Sequence, residues 1–450
     1  MTEKEEKRIY ILSQENTYKA VLKLGLPLVA GMFIMMLYNL VDTYFIGLTR
    51  DDYQLAAVNL AYPVMMISIA IANMVGTGAS SLISRSLGLN DKQTAEHTLT
   101  TGFVLTIING VLVAAIGLLL LNPIVTVLGA KSNTFDYTRQ YVAIILAGSI
   151  FTIGNYTFGQ LLRSEGAARQ SILGMVVGTV VNIILDPVFI FALKLYVAGA
   201  AIATILGNAA GMFLSLSFYI RKKTVLSPSR AFLKPTLPIL KEIFWVGVPA
   251  TLETLLTSVA YVINNNLSVA YGELTVAAMG ISQKIMSFGS YLYQGFAAGM
   301  QPLMGYNYGA KNYKRMMDSL KSGLIILLSL ELVVMAIFGL TAPVLIGVFT
   351  ETAEVITIGS RVLRTTMCFL PFVGAVSMCR ISFQSMGKPQ YAFGITLVRQ
   401  IVLYVPLLFI LNHFFGFYGM IWSQTITDAI MMIASISLFL GFLKSKSSAS

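Results

Sequence analysis

The chain has 450 residues, of which 56% are hydrophobic and 11% are charged, and its formal net charge is +11. Because a soluble protein carries about 25% charged residues, this composition excludes an ordinary soluble domain. Apolar runs of about 20 residues recur along the whole length, and each is long enough to cross a hydrocarbon core about 30 Å thick as a helix. We therefore predict an all-α polytopic membrane protein.

The chain begins with about twenty polar residues that mix acidic and basic side chains and lack the apolar core of a cleavable signal peptide. The apolar stretches that follow predict twelve transmembrane helices. In chain order these spans lie near residues 22–47, 57–83, 97–121, 137–161, 170–193, 197–220, 243–270, 277–304, 321–347, 360–382, 391–412 and 417–442. An even number of spans places both termini on the same side of the membrane.

Lys and Arg are distributed unevenly between the two sets of loops. With the N-terminus inside, they cluster on that side in residues 1–20, 221–241, 311–315 and 444–446, whereas the opposite loops hold few. This positive-inside pattern predicts a multi-pass protein with both termini in the cytoplasm, surrounded by membrane lipid. A positive net charge can also indicate a nucleic-acid partner, but we expect none, since no soluble basic domain is available to bind it.

Two spans of the first half carry an acid. Asp42 lies in the first span, with Tyr38 one turn earlier on the same face. The fifth span contains Asn182 and Asp186, also four residues apart, followed directly by Pro187. Both spans run outward and both acids fall about 15–20 residues into them, so we expect the two carboxylates at similar depth. Carboxylates at membrane depth are costly, and they mark ion or substrate pathways more often than structural contacts.

The sixth span returns inward and carries Thr204 near its outer end. We expect Thr204 to join the polar side chains of the first and fifth spans in one cation-coupling site. Carboxylate, amide and hydroxyl oxygens suit Na⁺, and the carboxylates equally suit a proton, so the coupling ion stays open. The alternative interpretation is a buried polar network that only holds the helices together.

The second half has its own ionisable residues within spans: Glu253, Lys284, Glu331, Arg399 and Asp428. Both signs of charge occur among them, so some are expected to form ion pairs. Glu253 is the one that we consider as part of a substrate pathway.

Flexible methionines in the first span, Met32 and Met35, are weaker candidates for the same pathway, because a polarizable side chain suits a promiscuous pocket. Three prolines within or beside spans, Pro27, Pro187 and Pro249, are expected to kink their helices, since proline lacks the N–H that a helix interior needs.

An internal repeat with an offset near 221 residues divides the chain. The matching elements are Gly25-Leu26-Pro27 with Gly247-Val248-Pro249, Ala56-Ala57-Val58 with Ala277-Ala278-Met279, Gly78 with Gly299, Gly88 with Gly309, and Ser164-Glu165-Gly166 with Ser385-Met386-Gly387. Six helices per half give both halves the same topology, which is a parallel repeat. We expect a first six-helix bundle at 1–220, a cytoplasmic connector at 221–241 and a second six-helix bundle at 242–450.

These features resemble the MATE (multidrug and toxic compound extrusion) family over nearly the whole chain. The resemblance is carried by Gly25-Leu26-Pro27, by Val41-Asp42-Thr43 with Gly47, by Ala56-Ala57, by the segment from Asn182 to Pro187, and by the six-plus-six repeat. Together with Leu162-Arg163-Ser164-Glu165-Gly166, the pattern is most similar to the prokaryotic branch that includes the MepA-type and DinF-type pumps.

The resemblance implies a V-shaped pair of bundles that exports cationic or amphipathic compounds in exchange for H⁺ or Na⁺ by alternating access. It also implies a cation site at Asp42, Asn182, Asp186 and Thr204, and a location in the prokaryotic inner membrane. One feature departs from other branches of the family, which carry an acid two turns after the proline of the seventh span. Here Glu253 follows Pro249 by one turn, and Thr257 occupies the expected position.

Two other functions were weighed against this one. A flippase of lipid-linked precursors has the same superfamily architecture. The cavity of such a flippase usually carries several basic residues, whereas the first half of this chain carries the two acids Asp42 and Asp186. A membrane-embedded enzyme is disfavoured because the chain contains no HExxH, no Gly-x-Ser-x-Gly and no phosphate-binding loop. We therefore expect a monomeric transporter that is not an enzyme, with small-molecule substrates and no cofactor besides the coupling ion.

Overall fold

The computed structural model describes the backbone of residues 3–47 and 51–447. Side chains are described in these ranges except at 3–5, 37–44, 46–47, 52, 265, 273 and 446–447. The described backbone is helical and contains no β-strand. The prediction of an all-α polytopic membrane protein is confirmed.

Seventeen α-helices follow one another along the described chain. They are α1 (Glu3–Ser13), α2 (Thr17–Gly47), α3 (Asp52–Gly88), α4 (Lys92–Leu119), α5 (Leu121–Val127), α6 (Ser132–Ala147), α7 (Ser149–Ser164), α8 (Ala168–Pro187), α9 (Tyr196–Ile220), α10 (Leu237–Val269), α11 (Glu273–Gly309), α12 (Tyr313–Leu340), α13 (Ala342–Gly347), α14 (Ala353–Met367), α15 (Leu370–Ser385), α16 (Pro389–Leu397) and α17 (Val405–Ser447). π-Helices follow α8 at Val188–Ala192 and α16 at Val398–Tyr404, and a 3₁₀-helix lies at Arg230–Phe232.

All twelve predicted spans fall on these helices. By length and composition, eight helices in the described ranges can cross a membrane, or ten if each of two bent pairs is one span. The stretch Pro389–Ser445 counts once among the eight, although Gly416, at φ 59° and ψ −141°, divides α17 into two helical parts. The long helix α11 is not among the eight, and it carries Gln283, Lys284 and Gln294.

Two pairs of consecutive helices in the described chain bend by more than 40° at equivalent positions of the repeat. The helices α6 and α7 meet at 51°, and α14 and α15 meet at 42°. The breaks lie at Gly148 and at Cys368–Phe369, which agree with the offset of the repeat. The predicted kinks lie at Pro27, Pro187 and Pro249, so these two bends were not predicted from the sequence.

The chain forms two compact units. The first comprises Met1–Ser13 and Ala30–Thr251, and the second comprises Gln14–Val29 and Leu252–Ser450. The helices α2 and α10 therefore each contribute to both units. In each case the division falls two residues after a proline, Pro27 in α2 and Pro249 in α10.

The repeated glycines explain how each unit holds a helix segment from the other half of the sequence. In the second unit, a Cβ on Gly299 of α11 would lie 2.8 Å from the Cα of Gly25 in α2. In the first unit, a Cβ on Gly78 of α3 would lie 2.8 Å from the carbonyl carbon of Ile243 in α10, and Gly247 meets Met74 in the same way. Glycine at these positions lets two helix backbones come into direct contact.

The first residues of the connector are held against the first unit. Glu165, which follows α7, is fully buried, and its Oε2 accepts hydrogen bonds from the N–H groups of Val225 (2.8 Å) and Leu226 (3.0 Å). Arg8 of α1 donates to the carbonyl oxygen of Lys223 at 2.8 Å. Residues 223–226 are therefore held by an acid and a base from two other segments of this unit.

Candidate functional site

The site in the first unit is built where α8 and α9 pack closely. Gly174 and Gly178 of α8 face Gly207 and Gly211 of α9, so each helix carries the Gly-x-x-x-Gly spacing that permits close approach. A Cβ on Gly207 would lie 2.6 Å from the carbonyl oxygen of Gly178 and 2.8 Å from the Cβ of Asn182. The absence of a side chain at position 207 thus brings Asn182 against the backbone of α9.

Asn182, Asp186 and Thr204 come together at this helix pair. All three are buried, with exposed fractions of 2%, 0% and 3%. The orientation of the Asn182 amide is assigned from its hydrogen bonds. In this orientation the amide oxygen accepts from the Thr204 N–H at 3.0 Å, and the NH₂ group donates to Asp186 Oδ2 at 3.3 Å. The predicted i, i+4 pairing of Asn182 with Asp186 is thus present, and the backbone of the sixth span joins it.

The Thr204 hydroxyl has a different role from its backbone. Its Oγ1 is buried and has no hydrogen-bond partner among the described residues. A buried hydroxyl normally finds a partner, so this oxygen is available to a bound ion or water.

A polar network continues from Thr204 along α9, and the sequence analysis missed it. Asn208 donates to the Thr204 carbonyl oxygen at 3.1 Å, and Asn155 of α7 donates to the Asn208 Oδ1 at 3.0 Å. Asparagines at 155 and 208 within predicted spans were the available signal. The site is thereby connected to α7 as well as to α8 and α9.

The helix that carries Asp186 changes its geometry immediately afterwards. Pro187 is the last residue of α8, and the π-helix Val188–Ala192 follows. π-Helical turns are rare and frequently lie at functional sites. The fifth helix of the second half also contains a π-helix, Val398–Tyr404, so this irregularity belongs to the repeat.

The predicted contributors from the first span, Tyr38 and Asp42, have side chains that lie outside the described residues. The helix α2 itself extends to Gly47, and the ring of Phe45 packs edge-on to Phe191 with centroids 6.4 Å apart. This contact joins α2 to the fifth helix three residues after Asp42 and five residues after Asp186. The participation of Asp42 and Tyr38 stays a prediction.

The methionine candidates lie on the same helix. Both Met32 and Met35 are partly buried, and the Tyr156 hydroxyl donates to the sulfur of Met35 at 3.9 Å. Their part in a substrate pathway is not tested by this geometry.

Glu253 of α10 belongs to the second unit and is 4% exposed. Its Oε2 accepts from Arg380 Nη1 at 2.6 Å and from Gln384 Nε2 at 2.8 Å, both on α15. Neither partner was predicted from the sequence, although Arg380 is a basic residue inside the predicted span 360–382. The charge of Glu253 is balanced by Arg380.

A second ion pair of this unit involves Arg399, within the π-helix Val398–Tyr404, and Asp428 of α17. Arg399 Nε lies 2.5 Å from Asp428 Oδ1, and Gln424 donates to Oδ2 at 2.8 Å. Lys284 is exposed, whereas Glu331 is fully buried. The expected pairing of opposite charges is thus present for Arg399 and Asp428.

A model of the MatE family matches residues 27–188 and, a second time, residues 249–410. The chain belongs to this family. The two matches correspond to the two halves of the repeat. Membership confirms the resemblance seen in the sequence, and it confirms that the protein is a membrane transporter and not an enzyme.

Several characterised relatives cover almost the whole chain. The multidrug export protein MepA of Staphylococcus saprophyticus is 28% identical over 431 residues, which are 96% of this chain and 95% of that protein. MepA of Staphylococcus aureus is 29% identical with the same coverage. The outward-facing structure of a multidrug resistance MATE family transporter of the MOP superfamily aligns with a TM-score of 0.93 and 29% identity over 98% of this chain and 99% of that chain.

Proposed function

We propose that the protein is a multidrug efflux antiporter that exports cationic or amphipathic small molecules in exchange for H⁺ or Na⁺. Support comes from membership of the MatE family and from relatives described as multidrug export proteins. The observation that carries the coupling part is the fully buried Asp186 beside Asn182 and Thr204, inside helices long enough to span a membrane.

The coupling step needs a group whose charge state changes the preferred conformation. An ion bound at Asp186 neutralises a buried carboxylate, and the Thr204 Oγ1 supplies a further oxygen that no described residue engages in a hydrogen bond. We propose that Asp42 and Tyr38 complete this site from the first span. Ion and drug must favour different states of the transporter, since only a difference in affinity between states shifts an equilibrium.

Movement between states needs hinges, and we propose Pro27 and Pro249 for this role. Each proline stands two residues before the point where its helix passes from one unit to the other. Because proline interrupts the helical hydrogen-bond ladder, bending there costs less than elsewhere in the same helix. The protein would act as a monomer in the prokaryotic inner membrane with both termini in the cytoplasm.

The test uses proteoliposomes loaded with a fluorescent cationic dye, in which proton and sodium gradients are imposed separately. We expect dye movement driven by one of the two gradients, and loss of that movement in Asp42→Asn and in Asp186→Asn. Asp136→Asn is the matched control, because Asp136 lies on an exposed face of α6. This control should transport at the wild-type rate.

The two gradients also identify the coupling ion. Movement with a proton gradient alone assigns H⁺, and movement with a sodium gradient alone assigns Na⁺. Normal transport by Asp42→Asn and Asp186→Asn would contradict the coupling site. No gradient-driven dye movement by the wild type, with transfer of a lipid-linked pyrophosphate precursor in the same vesicles, would establish the flippase instead.

A further inference from the structure

Glu331 occupies the inward-facing stripe of α12 in the second unit. Its side chain is 0% exposed, as is that of Leu327 one turn earlier, whereas the adjoining Leu332 and Val333 are 50% and 56% exposed. An acid thus stands at a position that the helix pattern otherwise reserves for core side chains.

Within the described part of the chain, Glu331 has no partner that neutralises its charge. Both of its carboxyl oxygens are buried, and no described group forms a hydrogen bond with them. Helices that contact α12 include α11, α13, α14, α15 and α17, and Thr17 of α2 is hydrogen-bonded to Ser322 of α12 at 2.7 Å. The described charged and histidine side chains of these six helices are Lys19, Lys23, Lys284, Glu354, Arg361, Arg364, Arg380, His413, Asp428 and Lys444.

Each of these groups either forms an ion pair or is exposed. Arg380 pairs with Glu253, and Asp428 pairs with Arg399. The remaining eight are exposed. In the described part of the chain, Glu331 therefore has no ion-pair partner on any packed helix.

The carboxyl group is instead pressed against the backbone of α15. A Cβ on Gly374 would lie 2.5 Å from Oε2 and 2.6 Å from Oε1 of Glu331. Glycine at position 374 therefore leaves the space that the carboxyl group fills. The helices α12 and α15 close over Glu331 at this point.

An ionised carboxylate in such surroundings would lose its hydration without gaining a hydrogen bond or a counter-charge. This cost is far larger than that of a neutral acid, so the group takes up a proton. We propose that Glu331 is a proton-binding site of the second unit. It holds a proton while α12 and α15 are packed together at Gly374, and it gives up this proton when the two helices separate there. The O–H bond of the carboxyl group forms as a hydronium ion from the surrounding water gives up a proton, and release returns that proton to water.

This site is independent of the Asn182–Asp186 site, because it lies in the other unit and shares no residue with it. It would make the packing of α12 against α15 depend on protons whichever ion couples transport. The proposal therefore does not depend on the proposed antiport.

Infrared difference spectroscopy on the full-length protein in lipid nanodiscs tests the protonation state directly. At neutral pH, we expect wild type minus Glu331→Gln to show one C=O stretching band of a protonated carboxylic acid, shifted in D₂O. Glu354→Gln is the control: this acid is exposed, so its removal should delete a carboxylate signal only. A Glu331 difference spectrum with a carboxylate band and no protonated C=O band would overturn the proposal.

A second pair of variants tests the contact with α15 and leaves Glu331 in place. Gly374→Ala places a methyl group where the carboxyl oxygens lie, so the band should shift or disappear. Gly339→Ala on α12 meets nothing within 4 Å and should leave the band unchanged. An unchanged band in Gly374→Ala would contradict the role assigned to closure at this glycine.

The thermal stability of Glu331→Gln gives an independent test. Glutamine has the shape of the neutral acid, so this variant should keep the wild-type thermal stability. Unfolding of Glu331→Gln would contradict a neutral Glu331.

Discussion

Asn182 is the residue that links the two helices of the candidate coupling site, because it contacts Asp186 on its own helix and the backbone of Thr204 on the next. Residues that orient an ion-binding carboxylate contribute to ion affinity without supplying the charge. The effect of changing Asn182 therefore distinguishes a coupling site from a network that only fastens helices.

Asn182→Ala should raise the ion concentration needed for half-maximal dye transport by about tenfold or more, since Asp186 loses its orienting partner. The measurement is transport rate against ion concentration in proteoliposomes. Asn133→Ala, at an exposed position in the first turn of α6, serves as the control. A lower maximal rate at unchanged half-maximal ion concentration would support the purely structural interpretation.

Glu253 and Arg380 permit a second test at the residue scale. Glu253→Ala leaves the partly buried Arg380 without its counter-charge, which should destabilise the protein by about 3 kcal/mol. Glu253→Ala combined with Arg380→Ala should be less destabilised than Glu253→Ala alone, because no unpaired charge remains. Denaturation followed by circular dichroism in detergent gives the comparison, and strictly additive losses would show that the pair is not coupled.

At the scale of helices, glycine contacts decide which elements pack together. Gly299 of α11 meets the backbone of Gly25 and Leu24 in α2, whereas Gly280, also in α11, has nothing within 4 Å of an added Cβ. The same substitution on one helix thus has two different expected outcomes.

Gly299→Ala should destabilise the protein by about 1–3 kcal/mol, because backbone atoms cannot move aside for the methyl group. Gly280→Ala should be neutral or stabilising by up to about 1 kcal/mol, since alanine favours the helix. Thermal unfolding of both variants in the same detergent checks this. Equal unfolding temperatures would contradict close packing of α2 on α11 within the second unit.

At the scale of the whole molecule, the connector between the two halves is fastened to one unit by Glu165. Its carboxylate accepts two backbone hydrogen bonds from Val225 and Leu226 in a fully buried position. Hydrogen bonds to a charged group contribute about 1.5–3 kcal/mol each. Glu165 therefore opposes local release of this segment, together with Arg8 at Lys223.

Glu165→Gln should make the connector more accessible to trypsin at Lys222 and Lys223, with cleavage faster by about tenfold for each 1.4 kcal/mol lost. Gel analysis of a digestion time course provides the rates. Glu351→Gln, an exposed acid, is the matched control. Unchanged cleavage in Glu165→Gln would show that other contacts hold residues 223–226.

The sequence by itself determined the class of the protein. Hydrophobic run length requires helices across a membrane, because lipid offers no partners for backbone polar groups. The repeat and the motif from Asn182 to Pro187 led to the family that the match at 27–188 and 249–410 confirms. The pairing of Asn182 with Asp186 also followed from helical spacing alone, since four residues make about one turn.

Only the tertiary structure decided which distant residues meet. Arg380 neutralises Glu253 and Gly374 faces Glu331, and each pair joins helices far apart in sequence, which no local periodicity can match. The bends at Gly148 and at Cys368–Phe369 were likewise seen only in the folded chain, although Gly148 and Pro371, the second residue of α15, are local signals for a helix break. The repeated glycines were visible in the sequence as matches, but their reason is the direct contact of helix backbones, and that contact exists only in the folded units.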